Sequence, residues 1–583
     1  METVNIKING VSYEVAKNST VLEAAQAAKI DIPTLCYLKD INAIGACRMC
    51  LVEVSEGGRP FRMVTACVYP VSDGMEIKTN TPKITRSRKI NLELLLSNHD
   101  QDCLSCVRST DCELQQLCRD YGVNGKSFAG AKTEAVKDDS SVAIIRDNSK
   151  CILCRRCVAM CKNVQAIGVI GANNRGFDTT IGCAFESDLA STSCINCGQC
   201  TAVCPTGALY ERDDTAKVLA AIADPTKRVY ICTAPSVRAQ IGECFGYEPG
   251  TDTEGKMVAA LKRLGFDGVF DMNLTADLTI MEEATEFLGR VKNGGALPMI
   301  TSCSPGWIKY CEHYFPEFTE NLSTCKSPQQ MFGAVVKTYF AEKEGIDPKD
   351  IYFVSAIPCT AKKFEVGRAG QSAAGVPDVD AAVTTREVGR MIAQAGINFR
   401  ALDDECFDNP FDIGSGAGVI FGATGGVMEA ALRTAAEVIE GKPLESVDFT
   451  DVRGIEGIKF AQYKLGDIDL KVAVASSTGC AKKLLEAVKA GEADVQFIEI
   501  MGCPGGCVNG GGQPHQPASV RNTIDLRAKR ASVLYTADKK MDLRKSHENS
   551  AVKKLYDEYF GEPNSHKAHE VLHTHYVKRG LFN

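Results

Sequence analysis

The residues of this chain best suited to chemistry are its cysteines, 27 among 583 residues, and most stand in short-spaced groups. Cys36 is followed by Cys47-x2-Cys50 and then Cys67. His99 precedes Cys103, Cys106 and Cys112. The run Cys151-x2-Cys154-x2-Cys157-x3-Cys161 is repeated as Cys194-x2-Cys197-x2-Cys200-x3-Cys204-Pro205. Further on come Cys303 followed by Ser304, then Cys359, then Cys503 with Cys507. Thiols so spaced converge on one compact inorganic core, and in a long chain they mark metal ligation rather than a disulfide framework. METVNIKING lacks the charged-then-apolar start of a secretory signal. No apolar run approaches the roughly 20 residues of a bilayer span. The expected setting is the reducing cytoplasm, with no membrane contact. A formal net charge of -7 gives no support for nucleic-acid binding.

Each group suits a particular centre. Cys36, Cys47, Cys50 and Cys67, on a glycine-bearing loop and its return strand, suit a [2Fe-2S] cluster, with a zinc knuckle as the alternative. The first gap is longer than in plant-type ferredoxins. His99 with Cys103, Cys106 and Cys112 offers one imidazole and three thiolates, which iron or zinc would accept. Its place between two cluster motifs favours a [4Fe-4S] centre. The doubled run is similar to bacterial two-cluster ferredoxins, where the fourth cysteine of each run ligates the other cluster. One [4Fe-4S] cluster is therefore expected on Cys151, Cys154, Cys157 and Cys204, the other on Cys194, Cys197, Cys200 and Cys161. Together these form a row of one-electron carriers without substrate chemistry of their own. Cys118 and Cys183 fit no spacing; Cys232, Cys244, Cys311, Cys406 and Cys480 read as buried thiols.

A chain of this length requires several domains, here of a multidomain α/β class. Over 1–79, Val4, Ile6 and Ile8 alternate up to Asn9-Gly10, and Val11, Tyr13 and Val15 resume. That predicts a hairpin. A helix from Thr20 to Lys29 follows, capped by Ser19 or Thr20, in a β-grasp [2Fe-2S] ferredoxin domain. Residues 80–141 form a small His/Cys3 [4Fe-4S] domain opening on a helix through Ile90, Leu92, Leu94, Leu95 and Leu96. Residues 142–222 form the two-[4Fe-4S] ferredoxin domain. In the large C-terminal domain, 223–583, short apolar runs at Val229–Cys232, Leu297–Thr301, Ile351–Ile357 and Val472–Ala475 alternate with helical stretches. That predicts α/β architecture with largely parallel sheets, whose strand ends carry ligand sites. The cysteines stand at those ends. The histidines of His566–His575 suggest metal binding as one alternative, but the stretch reads rather as a surface helix. Gly414-Ser415-Gly416-Ala417-Gly418 lacks the context of a dinucleotide site.

Three stretches resemble the signature segments of [FeFe] hydrogenases: Thr301-Ser302-Cys303-Ser304-Pro305-Gly306-Trp307, Ile357-Pro358-Cys359-Thr360-Ala361-Lys362-Lys363-Phe364-Glu365, and 499–512 with Met501, Cys503 and Cys507. Ala234-Pro235-Ser236, Lys326-Ser327-Pro328-Gln329-Gln330, 421–429 and 544–549 extend the resemblance across essentially the whole chain. It implies the reaction H2 = 2 H+ + 2 e-, one [2Fe-2S] and three accessory [4Fe-4S] clusters, and an H-cluster domain. The H-cluster is a [4Fe-4S] cube joined through one cysteine to a diiron unit bearing CO, CN and a bridging dithiolate amine. By motif position Cys359, Cys503 and Cys507 are ligands, with Cys507 bridging, and Lys362 bonds a cyanide. Pro235, Ser236, Gln329, Ile357 and Met501 line the pocket, Ile357 replacing the family's usual methionine. The implied proton chain runs Cys303, Glu283, Ser323, Glu286, with Arg290 near the surface; Glu283 and Glu286 share one helix face.

One departure stands out. Ser304 occupies the place of the family's cube-ligating cysteine, and a serine oxygen is harder and far less acidic than a thiol. Three fourth ligands are open: Ser304, Cys303, or Cys325, which stands where a small residue is expected. Expected electron partners are ferredoxin and a flavin- and NAD(P)-binding subunit with small iron–sulfur subunits, in a complex of the electron-bifurcating kind. The competing reading is a hydrogen sensor or iron–sulfur assembly relative, which Ser304 supports and Cys359, Lys362, Cys503 and Cys507 oppose. A respiratory-complex subunit would account for the first two modules only.

Overall fold

In the computed structural model, residues 2–581 are described, apart from 126, 412, 413, 445, 455, 456 and 467. β1 (Thr3–Ile8) and β2 (Val11–Ala16) pair antiparallel across Asn9-Gly10, both of which take positive φ, as a two-residue hairpin turn demands. β1 buries alternate residues on one face. The helix Val21–Ala27 starts at a Thr20–Glu23 capping box and stops two residues short of Lys29. β3 (Leu51–Ser55), β4 (Arg62–Thr65) and β5 (Glu76–Lys78) complete a sheet of order β2-β1-β5-β3-β4. Thr81 caps the next helix, Pro82–Asn98, which has proline in its first turn and ends at His99.

The doubled cysteine run lies within a small sheet of β6 (Lys137–Asp138), β7 (Ile144–Asp147) and β10 (Leu209–Glu211), with the pair β8 (Gly171–Asn173) and β9 (Thr180–Gly182) between the halves. Antiparallel pairing of β7 with β10 draws the start of the first run to the end of the second.

The C-terminal part holds two four-stranded sheets. In the first, β11 (Arg228–Thr233), β12 (Gly268–Asp271), β14 (Ile351–Ala356) and β15 (Ala381–Val383) run parallel in the order β12-β11-β14-β15. In the second, β13 (Met299–Ile300), β16 (Ile458–Leu465), β17 (Ile468–Ser476) and β18 (Phe497–Met501) run in the order β13-β18-β17-β16, antiparallel only between β16 and β17. The predicted strand Leu297–Thr301 is thus two residues long. Strands covered on both faces need apolar residues throughout. Accordingly Val472, Val474, Phe497 and Met501 enter one core, while Ala473, Ala475, Ile498 and Ile500 enter the core on the other face.

The dicluster module docks on this domain through backbone. A Cβ on Gly511 would stand 2.5 Å from Gly198 Cα and 2.6 Å from Cys197 O. Thr360 Oγ1 donates to Asn196 O at 2.7 Å and Gln165 Nε2 to Gly502 O at 2.8 Å. Lys363, almost fully buried, pairs with both Asp214 and Glu387. Among the described residues no helix is long and apolar enough to cross a membrane.

Candidate metal centres and catalytic cavity

Cys36, Cys47, Cys50 and Cys67 are all buried, on the loop before β3 and just past β4. All four are free thiols, and hydrogen bonds from Cys47 and Cys67 hold Cys36 well below the ordinary thiol range. His99 follows the helix end, buried, with Nδ1 unpartnered. Burial first, then Lys150, lowers its pKa to about 4, so the ring is neutral with a lone pair to offer. Cys106 Sγ lies 2.6 Å from where a Cβ on Gly207 would stand, which brings this module against the dicluster one. Cys151, Cys154, Cys157 and Cys204 line one void of about 380 Å³; Cys161, Cys194, Cys197 and Cys200 line another of about 460 Å³. Each run therefore sends its fourth cysteine to the other's void.

The ends of β11, β13, β14 and β18 converge on a void of about 710 Å³. Pro235 and Ser236 follow β11; Cys303 and Ser304 follow β13; Ile357, Cys359 and Lys362 follow β14; Met501 closes β18 and Cys503 and Cys507 follow. Gln329 enters from the helix Pro328–Val335. Every pocket residue expected from the sequence is here. Gly506, at φ 98°, is necessary: a Cβ would meet Thr424 N at 2.7 Å and Gly422 O at 2.8 Å. Burial pushes the Cys507 thiol up to about 12 and raises Cys359, although Lys362 opposes the rise at Cys359. Thiols this costly to ionise unaided are what a cationic iron centre would deprotonate. Ser236 Oγ and Gln329 Oε1 are buried without a partner. Lys362 Nζ donates to Glu365 Oε2 at 2.8 Å and to Cys303 O at 3.2 Å, leaving one of its three donors.

The candidates for the fourth ligand are separated in space. Ser304 lines the void and its Oγ accepts from Gly502 N at 3.2 Å, beside Cys503. Cys303 also lines it, with Glu283, Lys362 and Cys507 as its ionisable neighbours. Cys325 does not line it; its Sγ lies 3.8 Å from Glu286 Oε2. Of the three alternatives, Cys325 is the one placed away from the void, because its loop turns it toward the helix Asn273–Asn293.

That helix carries Glu283, Glu286 and Arg290 at i, i+3 and i+7. Glu283 is fully buried, accepts from Ser302 N at 3.4 Å, and is pushed up to about 7 by burial first and then by Glu286. Ser323 Oγ donates to Glu286 Oε2 at 3.0 Å and Arg290 Nη2 to Glu286 Oε1 at 2.6 Å. Ser323, Glu286 and Arg290 are thus joined by hydrogen bonds that end in a partly exposed guanidinium, and Glu283 stands between them and Cys303 at the void.

Three further residues shape the surroundings of the site. Glu365 accepts from Lys362, Ser327 and Gln329; its i+3 spacing from Lys362 was the available signal. Glu499, fully buried and pushed up to about 7 by burial, anchors Gly425 and Met428 at 2.7 Å each. His573 reaches Glu282 at 3.0 Å; the histidine-rich run was its signal, but the helix ends at Leu572 and His573 is buried rather than on a surface helix.

Iron–sulfur modules beside a thiol-lined cavity at the ends of two largely parallel sheets define a redox enzyme with a metal active site. Residues 227–511 match the iron only hydrogenase large subunit, C-terminal domain, and 524–579 the iron hydrogenase small subunit. Residues 1–82 match a 2Fe-2S iron–sulfur cluster binding domain, 88–126 the NADH-ubiquinone oxidoreductase-G iron–sulfur binding region, and 150–208 a 4Fe-4S dicluster domain. The chain is 48% identical over 590 residues to the NADP-reducing hydrogenase subunit HndD of Solidesulfovibrio fructosivorans, covering 99% of this chain and 100% of that one. It is 44% identical to iron hydrogenase 1 of Clostridium pasteurianum, covering 98% and 100%. A solved apo [FeFe]-hydrogenase HydA1 from Chlamydomonas reinhardtii aligns with TM-score 0.56 at 44% identity, over 63% of this chain and 100% of that one. The chain belongs to the [FeFe] hydrogenase family and is an iron–sulfur enzyme that interconverts hydrogen with protons and electrons.

Proposed function

We propose that this hydrogenase works through an H-cluster seated in the 710 Å³ void, its cube held by Cys359, Cys503, Cys507 and the Ser304 oxygen, with Cys507 joining the diiron unit. The convergence of these side chains from three strand ends is the observation that carries the reading. Ser304 is preferred as fourth ligand because its oxygen accepts from Gly502 N, the residue before Cys503, whereas Cys303, although near Cys507, also faces Glu283, the first carboxylate of the proton path. When bound, the H-cluster supplies heterolytic cleavage of hydrogen and the reverse. Lys362 would present its remaining donor to a cyanide, and the unpartnered Ser236 hydroxyl would donate to a diatomic ligand.

Protons move from the Cys303 thiol to Glu283, across Ser323 to Glu286, and out beside Arg290. A carboxyl held near pH 7 is suited to accept and release a proton alike. Electrons pass through one [2Fe-2S] cluster in a β-grasp domain and three accessory [4Fe-4S] clusters, with residues assigned as their spacing predicts. The cluster on Cys161, Cys194, Cys197 and Cys200 adjoins the cube, since Cys197 is close enough to raise the Cys503 thiol. The assigned domains are 1–79, 80–141, 142–222 and 223–583.

Electron partners are ferredoxin and, in a cytoplasmic complex, a separate flavin subunit that binds NAD(P). The similarity to an NADP-reducing subunit supports the second. Within this chain the glycine run around Ser415 has its polar groups in use: Ser415 N donates to Asp277 at 2.9 Å, and its hydroxyl caps the following helix. The deciding experiment is hydrogen-dependent viologen reduction by anaerobically matured protein carrying CO and CN infrared bands. Bands without turnover would favour the hydrogen-sensor reading.

A further inference from the structure

At the outer end of the proton path stand side chains with no part in the chemistry above. Cys325, 1% exposed, has Sγ 3.8 Å from Glu286 Oε2. His573 is 8% exposed. The Glu286 carboxylate, the Cys325 thiol and a His573 ring nitrogen each offer a ligand atom, all within 4.8 Å of one another. Tertiary pairing creates the group. Lys326 N donates to Leu572 O at 2.8 Å and Thr574 N to Thr324 O at 2.7 Å, which sets Cys325 opposite His573 in an antiparallel bridge. The imidazole is fixed on both sides, Nε2 lying 3.0 Å from Glu282 Oε2 and Nδ1 2.7 Å from Thr324 Oγ1. Glu282 is itself held by the Tyr556 hydroxyl and by Asn564 N.

We propose that Glu286, Cys325 and His573 bind a divalent zinc ion, and that the bound ion withdraws Glu286 from proton transfer. The site stands on its own geometry; the brake on turnover rests on the proton path given under Proposed function. Thiolate, imidazole and carboxylate are the three side-chain donors zinc takes, and three protein ligands leave a fourth position for water. Tetrahedral zinc with Zn–S about 2.3 Å and Zn–O about 2.0 Å separates sulfur from oxygen by about 3.5 Å. The thiol need close by only a few tenths of an ångström. Glu282, Glu283 and Glu286 all face this thiol, a field that opposes a bare thiolate and favours a cation. A carboxylate on an imidazole nitrogen is also the arrangement that orients zinc-bound histidines. Glu286 now accepts from both Ser323 and Arg290, and a cation on its carboxylate would compete with both. An approach from solvent exists: the His573 ring packs 4.2 Å, centroid to centroid, from that of exposed His569.

The test adds zinc ion to fully matured, anaerobic holoenzyme, followed by a chelator. One removable zinc per chain is expected, with a sulfur neighbour near about 2.3 Å in its X-ray absorption spectrum. Iron content and the CO and CN infrared bands stay unchanged. Hydrogen evolution falls at least about tenfold and returns with the chelator, as for loss of one proton-transfer group. Cys325→Ala keeps the zinc-free rate, loses the sulfur neighbour and needs about 100-fold more zinc for inhibition; His573→Gln, which keeps a hydrogen bond to Glu282, weakens zinc about equally. Sulfur-free zinc in the unaltered protein, or zinc sensitivity unchanged in Cys325→Ala, overturns the site. Sulfur-bound zinc at full turnover leaves the site standing and overturns the place of Glu286 in the proton path.

Discussion

Replacing Glu283 with glutamine should make the enzyme more stable and nearly inactive at the same time. Glu283 is fully buried and its pKa is raised from 4.5 to about 7, burial being the larger cause and Glu286 the second. Because the folded form holds its proton more tightly than the unfolded form, the native state loses stability as pH climbs from 4.5 toward 7. At 1.36 kcal/mol per pKa unit the accumulated cost above neutrality is about 3 kcal/mol. Glutamine has the same shape and no charge, so Glu283→Gln escapes that cost. Relative to the unaltered enzyme it should gain nothing near pH 4.5 and about 3 kcal/mol at pH 8. For a domain of this size that gain amounts to about 3–5 °C in unfolding midpoint. The amide cannot pass a proton onward, so hydrogen evolution should drop about 10²- to 10⁴-fold. Anaerobic calorimetric scans between pH 5 and 8.5, paired with viologen-driven hydrogen evolution, measure both. A variant that melts lower at pH 8, or that retains most of its rate, would refute the reasoning.

Ser304→Cys exchanges a hard oxygen for a soft thiolate on the cube, which favours the reduced state; the cube's potential, followed by electron paramagnetic resonance, should rise by about 59 mV or more, a tenfold change for one electron. An unmoved potential would remove Ser304 from the ligand set. His99→Ala should cost one [4Fe-4S] cluster, read as four fewer irons per chain, with the CO and CN bands retained. Gly511→Ala places a Cβ 2.5 Å from Gly198 Cα. It should destabilise the docking of the dicluster module by about 1–3 kcal/mol and slow hydrogen-dependent reduction of an external acceptor more than hydrogen–deuterium exchange at the active site. Equal slowing of both would place the damage in the cavity itself.

Much of this protein was legible one segment at a time. Ligand spacing is a local property, so Cys151 through Cys161 and its repeat mark iron–sulfur ligation without any tertiary contact. The hairpin at Asn9-Gly10, the Thr20 cap and the apolar runs of the buried strands were likewise local, because turn geometry, capping and two-sided burial each act on neighbouring residues. What the sequence left open was which distant groups meet. Ser304, Cys303 and Cys325 are equivalent candidates on paper. Only the packing of the 323–326 loop against the helix Asn273–Asn293 turns Cys325 to Glu286 while Ser304 stays beside Cys503. The near-neutral carboxyl of Glu283 is equally a tertiary product, since it requires removal from water beside a second carboxylate. So is His573, brought to Cys325 from nearly 250 positions away by an antiparallel bridge that no periodicity encodes. Chain neighbours fix which metals can be held; burial and long-range pairing fix which protons can move.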